Sequence, residues 1–124
     1  QFSIGALNSA VPQNKAGRVR ALAVTGAHRS ALLPDVPTVA ESAVPGYDVA
    51  AWYGMLAPAG TPAAMVERIS RDLVKLLREP ELARSVESDG NEIVASSPSE
   101  FAAFILAETA RWGKAAADAG AIVE

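Results

Sequence analysis

The chain has 124 residues and a mass of 12.8 kDa, and its 11 basic and 14 acidic side chains give a net charge of −3. This length fits one small domain or a part of a larger one. The slight acidity, with no basic cluster, argues against a nucleic-acid surface, which needs cations to neutralise phosphates. No apolar run approaches the roughly 18–20 residues that cross a bilayer. With no cysteine and one histidine, disulfides, thiol nucleophiles and multi-histidine metal sites are excluded, and we expect neither a metal nor a cofactor.

The beginning of the chain has the pattern of a strand, a helix and a second strand. Residues 3–7 are short and mostly apolar, which indicates a buried strand. Asn8 is a preferred N-cap residue, and we expect it to open a helix that continues to about Lys15 and is ended by Gly17. The unbroken apolar centre of 18–25 indicates a strand covered on both faces. Together these elements predict a βαβ unit.

The middle of the chain, residues 26–46, is interrupted by prolines and is expected to be mostly irregular. Within it Thr38 and Glu41 have the spacing of a capping box, which predicts one or two helical turns. The following segment, 47–57, is expected to be extended and interrupted at Gly54. An irregular connection of about 20 residues is unusual inside one compact domain, so we expect it to cross between two lobes like a hinge.

The second half has clearer helical signals. The spacing predicts a helix that starts at Thr61 and ends at Pro80, a short helix over 81–87, a strand over 92–95, and a helix from Ser97 to Gly120. The last of these begins with a capping box and a proline at its first position. The mixture of four strands with helices predicts an α/β fold.

The candidate site residues are polar and aromatic, and none has the surroundings of a catalytic group. His28 lies in a polar loop without a neighbouring carboxylate that could orient its ring, which is typical of a solvated histidine. The sequence contains no nucleophile elbow, phosphate loop or dinucleotide fingerprint, so we expect no enzymatic activity.

Asn8 and Ser9 are the first binding candidates, because free N–H groups and the helix dipole at a helix start favour an anion. The alternative is that they only cap the helix. Trp52 and Tyr53 are the second pair, since neighbouring residues of an extended segment point to opposite faces and one of them could border a cleft. The alternative is that both are structural.

Seven motifs in this order resemble the substrate-binding proteins of tripartite tricarboxylate transporters, the Bug family of periplasmic receptors. They are KAGRVRALAVT (15–25), LPDVPTVAES (33–42), PGY (45–47), WYG (52–54), APAGTP (57–62), SPSEFA (97–102) and RWGK (111–114). The resemblance implies a two-lobed type II periplasmic-binding-protein fold, of which this chain is the C-terminal portion. By analogy, 1–27 would end the second lobe, 28–46 would cross over, and 47–124 would complete the first lobe.

The resemblance also implies a function and a site. Family members capture small carboxylates in the periplasm and deliver them to the membrane permease subunits of the transporter. Ligand contacts are then expected at Ala6, Asn8, Ser9, Trp52 and Tyr53. Gly5 and Ala6 stand where relatives often have an acidic or amide residue, and Asn8 stands where proline is common, whereas Ser9 matches the family serine. A polar ligand contact is therefore lost or shifted to Asn8.

Two alternatives of other classes stay open at this point. The chain could be an effector-sensing or accessory α/β domain of an enzyme or regulator, since the same architecture serves as a sensor. It could also have a structural role, in which two copies form a homodimer by exchanging elements.

Overall fold

The computed structural model describes residues 2–121, so Gln1 and residues 122–124, which belong to the predicted segments 1–27 and 47–124, lie outside the described residues. The described helices are α1 (Leu7–Lys15), α2 (Val39–Ser42), α3 (Ala63–Leu77), α4 (Pro80–Ser88) and α5 (Pro98–Asp118). The chain divides into two compact units. Unit 1 comprises the residues up to Leu56 together with Pro80–Ile93, and unit 2 comprises Ala57–Glu79 and the residues from Val94 onwards.

Helix α1 is confirmed, including its end. Gly17 follows the helix with φ of +69°, a left-handed conformation that glycine adopts without a steric penalty. Beyond this turn, the side-chain oxygen of Asn14 accepts a hydrogen bond from the backbone N–H of Ala21 at 2.8 Å. This bond ties the chain after the turn to the last turn of α1.

The strands predicted over 3–7, 18–25, 47–57 and 92–95 do not form a sheet among the described residues. These segments mostly lack regular secondary structure. A single backbone hydrogen bond, from the Val49 N–H to the Thr25 carbonyl (2.8 Å), is described between 47–57 and 18–25, and Val24 forms an isolated parallel bridge with Thr38, which lies outside the predicted strands. The physical reason is that a strand forms a regular ladder of backbone hydrogen bonds only when a second strand lies beside it.

The buried part of unit 1 is small. Among the described residues only Val11, Leu33 and Thr38 are buried, and of these Thr38 is exposed by just 1%. A close approach also joins α1 to the turn after α4. A Cβ atom at Gly90, where φ is +80°, would lie 2.9 Å from the Leu32 side chain and 3.4 Å from Leu7 Cβ. The backbone therefore favours glycine at this position, and a larger residue would also require the Leu32 side chain to move.

Unit 2 is built from α3 and α5, which contact one another. Helix α3 begins at Ala63 with Pro62 as its N-cap, one residue later than predicted, because the Thr61 hydroxyl donates to the Pro58 carbonyl (2.8 Å) instead of capping the helix. Helix α5 begins with the predicted capping box, in which Ser97 and Glu100 satisfy each other's backbone N–H groups.

Many large apolar side chains stay exposed in both units. In unit 1 they include Phe2, Leu22, Tyr53, Met55 and Leu56, and in unit 2 Met65, Leu76, Val94, Leu106 and Trp112. A compact chain of this length would ordinarily bury roughly two-thirds of its unfolded surface. The described residues bury much less, and neither α3 nor α5 has a fully buried residue.

Candidate functional site

The first turn of α1 contains three of the five predicted site residues. Ala6, not Asn8, is the N-cap, with extended backbone angles (φ −69°, ψ 147°) and no side-chain cap. The Ala6 carbonyl accepts hydrogen bonds from the N–H groups of Ser9 (3.2 Å) and Ala10 (3.0 Å). The first N–H groups of the helix, those of Leu7 and Asn8, have no helical carbonyl before them to bond.

The predicted N-cap role of Asn8 was wrong by two residues. The sequence pattern identifies a side chain able to cap, but the backbone of Ala6 starts the helix before Asn8 is reached. Asn8 therefore lies inside the first turn, and its side chain is exposed. Ser9 is also exposed, and its hydroxyl donates to the Ala6 carbonyl at 2.9 Å. The lone pairs of that hydroxyl remain able to accept a hydrogen bond.

Trp52 and Tyr53 lie in the segment without regular secondary structure at the end of the first stretch of unit 1. Tyr53 is 87% exposed and Trp52 is 45% exposed, so both rings offer aromatic surface to solvent. The structure thus places all five predicted residues in the same unit. A hydrogen bond joins Ala6 and Ser9 directly.

A second polar cluster, formed by Arg29, Thr38 and Glu41, was only partly foreseen. The capping box of Thr38 and Glu41 is confirmed: the Thr38 hydroxyl accepts from the Glu41 N–H at 3.0 Å, and Glu41 Oε2 accepts from the Thr38 N–H at 2.9 Å. Sequence analysis missed Arg29, whose Nε donates to Glu41 Oε2 at 2.9 Å. No local pattern connects residues twelve positions apart, so only the folded chain shows this pair.

Two carboxylates of the described chain have lowered pKa values. The Thr38 backbone N–H, and then Arg29, hold the pKa of Glu41 below its ordinary value. The Ser97 hydroxyl and backbone N–H lower the pKa of Glu100 in the same direction. Both carboxylates therefore stay ionised at neutral pH, in structural roles at the starts of α2 and α5.

Over residues 2–121, His, Asp and Glu side chains do not gather in any group of three that could hold a metal ion. In the same residues, none of the helices has both the length and the apolar character needed to cross a membrane.

Residues 2–120 match the family described as the tripartite tricarboxylate transporter family receptor. Because the match covers nearly the whole chain, the protein belongs to this family, a family of substrate-binding receptors. The resemblance seen in the sequence motifs is thereby confirmed.

Individual relatives agree with this assignment. A UPF0065 protein from the tcbD–tcbE intergenic region of Pseudomonas sp. is 40% identical over 80% of this chain and 30% of its own length. Protein BugT of Bordetella pertussis is 29% identical over 86% of this chain and 33% of its own length. Among solved structures, R. palustris Rpa4515 with adipate aligns with a TM-score of 0.79 and 37% identity, over 92% of this chain and 38% of the other. The chain thus spans about a third of the length of these relatives.

Proposed function

We propose that this protein contributes to a periplasmic receptor that binds a small dicarboxylate for a tripartite tricarboxylate-type transporter. The observation that carries the proposal is the family match over residues 2–120. The membrane partners would be the permease subunits of that transporter. Within such a receptor, 1–27 would end one α/β lobe, 28–46 would cross over, and 47–124 would belong to the other lobe, with the ligand between them.

The site that supports this proposal is the first turn of α1. A carboxylate placed there would meet the first free N–H groups of the helix and the positive end of its dipole. The exposed amide of Asn8 and hydroxyl of Ser9 add neutral donors and acceptors beside these groups. Neutral donors are sufficient, because a carboxylate accepts several charge-assisted hydrogen bonds from N–H and O–H groups.

Adipate is the first ligand to test, because the aligned R. palustris protein was solved with it. Adipate has a carboxylate at each end of an apolar chain, so one end could bind the first turn of α1. Trp52 and Tyr53 supply exposed aromatic surface, and we propose that they flank the apolar part of the ligand. A ligand that contacts both lobes only when they close would favour the closed form.

A chimeric receptor tests the proposal directly. In it, this chain replaces the aligned 38% of the R. palustris protein. We expect the chimera to bind adipate in isothermal titration calorimetry, and Asn8→Ala with Ser9→Ala to weaken binding by about tenfold or more, the size of one lost charge-assisted hydrogen bond. No heat with adipate or other dicarboxylates from a folded chimera would contradict the proposal.

Ser88→Ala is the matched control for Ser9. The Ser88 hydroxyl donates to the Ser85 carbonyl at 2.8 Å, as the Ser9 hydroxyl donates to the Ala6 carbonyl, but Ser88 is the last residue of α4. The negative end of a helix disfavours an anion, so this substitution should leave affinity unchanged. Equal losses from Ser9→Ala and Ser88→Ala would show a general structural effect and remove the first turn of α1 from the site.

A further inference from the structure

The C-terminal end of the proline-rich segment 29–41, named here the connector, is held to Val24 by backbone hydrogen bonds. Near its C-terminal end, the Val24 N–H donates to the Pro37 carbonyl and the Val39 N–H donates to the Val24 carbonyl, both at 2.9 Å. These bonds hold the end of the connector beside the extended segment that precedes its start. Thr38, which lies between the two bonded positions, is the most deeply buried residue described.

Arg29 links the two ends of the connector through its side chain. Its Nε lies 2.9 Å from Glu41 Oε2 and 3.3 Å from Oε1, and its Nη1 donates to the Pro34 carbonyl at 3.3 Å. One guanidinium therefore contacts the start of α2 and the middle of the connector. The planar fork of arginine makes this possible, because it presents several donors in fixed directions.

Glu41 Oε2 is the atom on which this arrangement depends. It accepts from Arg29 Nε and also from the backbone N–H of Thr38, both at 2.9 Å. An isolated surface ion pair contributes little to stability. This pair differs, because the same oxygen satisfies the backbone of a buried residue that belongs to the Val24–Thr38 bridge.

We infer that Arg29 is a positioning residue that locks the connector in one conformation, so this part of the chain is a rigid link and not a hinge. The inference replaces the flexible crossing expected from the prolines. It concerns the connector alone and is independent of any ligand, so it goes beyond the proposed receptor function. If the chain bends near the connector, the bend would then lie in the residues before 29 or after 41.

Native-state amide hydrogen exchange, measured by NMR on the 124-residue chain, tests the lock. The reporters are the N–H groups of Val39, Ala43 and Val44, which bond to carbonyls of Val24 and Val39. We expect Arg29→Gln to speed their exchange by about three- to tenfold, the range for a charge-assisted hydrogen bond at a half-exposed site. The amides of α5 should be unaffected. Unchanged exchange at all three reporters would overturn the inference.

Arg68→Gln is the matched control, since Arg68 makes an exposed pair with Asp72 at 3.9 Å in α3. It should leave the three reporters unchanged, and acceleration equal to that of Arg29→Gln would count against the lock. Arg29→Lys keeps the charge but not the fork, and we expect exchange rates between those of the native chain and Arg29→Gln.

A charge swap shows whether the connector is held by the shared oxygen of Glu41 or by charge attraction alone. The double variant Arg29→Glu with Glu41→Arg restores opposite charges, but an arginine at 41 cannot accept a hydrogen bond from the Thr38 N–H. We therefore expect the three reporter amides to exchange at least as fast in the double variant as in Arg29→Gln. Recovery of native rates would show that attraction alone suffices and would overturn the shared-oxygen role of Glu41.

Discussion

The two capping boxes of this chain start helices of very different kinds. Thr38 and Glu41 begin α2, which has four residues, whereas Ser97 and Glu100 begin α5, which has 21. The geometry of both boxes is the same, with each side chain satisfying the other residue's backbone. Thr38 is buried, and Ser97 is partly exposed.

The difference shows what a local motif can and cannot determine. A helix of 21 residues repeats its own hydrogen bonds often enough to offset the cost of nucleation, and a four-residue helix does not. Helix α2 exists because Val24, far back in the chain, bonds to both neighbours of Thr38, and because Arg29 reaches Glu41. The region around α2 therefore depends on distant contacts, and α5 depends mainly on local ones.

The largest expected effect on stability is the difference between alanine substitutions at two glycines that share a backbone conformation. Gly90 in unit 1 has φ of +80° and Gly60 in unit 2 has φ of +84°. Gly60→Ala adds a Cβ with no atom within 4 Å, so we expect only the left-handed backbone cost of about 1 kcal/mol. Gly90→Ala also meets Leu32 and Leu7, which raises the expected loss of stability to about 2–3 kcal/mol.

Denaturant unfolding of both alanine variants, followed by circular dichroism, measures this difference. Equal losses of stability in the two variants would mean that Leu32 moves aside freely. The contact between α1 and the turn after α4 would then contribute nothing to stability.

A second prediction compares the two caps directly. Thr38→Val removes the hydroxyl that accepts from the Glu41 N–H in a buried position, and we expect a loss of about 2 kcal/mol. Ser97→Ala removes a cap that water can partly replace, with an expected loss of about 1 kcal/mol. Amide hydrogen exchange measures the loss of stability separately at the starts of α2 and α5. Thr38→Ser, which keeps the hydroxyl, is the control. A larger effect at Ser97 would reverse the comparison.

A third prediction tests the long-range bond of Asn14 against a local one. Asn14→Ala leaves the Ala21 N–H without its acceptor, and we expect a loss of about 1 kcal/mol. The Thr109 hydroxyl donates to the Ile105 carbonyl within α5. Because alanine has the higher helix propensity, Thr109→Ala should be neutral or slightly stabilising. Thermal unfolding measures both, and a loss at Thr109 as large as that at Asn14 would contradict the distinction.

The smallest expected effect concerns pH and salt. A carboxylate whose pKa is lowered by folding contributes stability above its ordinary pKa of 4.5, and this contribution is lost as the pH falls through the lower folded value. We therefore expect the starts of α2 and α5 to weaken in acid, below pH 4.5.

Salt should separate the two carboxylates. Arg29 contributes to the lowered pKa of Glu41, so added salt or Arg29→Gln should raise it. Hydrogen bonds from Ser97 lower the pKa of Glu100, and salt should change it less. Carbon-detected NMR titration of the two side chains gives both values. Equal salt sensitivity would show that Arg29 does not distinguish the two sites.

The same contrast explains what the sequence could predict. The helix starts at Thr38 and Ser97 follow from signals three residues apart, and glycines end α1 and α5 close to the predicted positions. The sheet could not be inferred correctly, since an apolar run such as 18–25 indicates an extended segment but not whether a partner lies beside it.

The candidate site was predictable only in part. Its residue types pointed to the first turn of α1, but the start of that helix at Ala6 depends on the backbone and has no side-chain signal. The contact of Arg29 with Glu41 joins residues twelve positions apart, and no periodicity encodes such a distance. The roles of Trp52 and Tyr53 depend on a ligand, which the sequence of the chain does not specify.

The two tryptophans of the chain fall one in each unit, Trp52 in unit 1 and Trp112 in unit 2. The indole N–H of Trp112 donates to Glu108 at 3.0 Å, and the Arg111 guanidinium lies 5.4 Å from its ring centroid. Both contacts lie within α5, so the emission of Trp112 reports on the formation of that helix. Replacing either tryptophan with phenylalanine leaves one tryptophan, so the unfolding of unit 1 and of unit 2 can be followed separately by intrinsic fluorescence, without an attached dye.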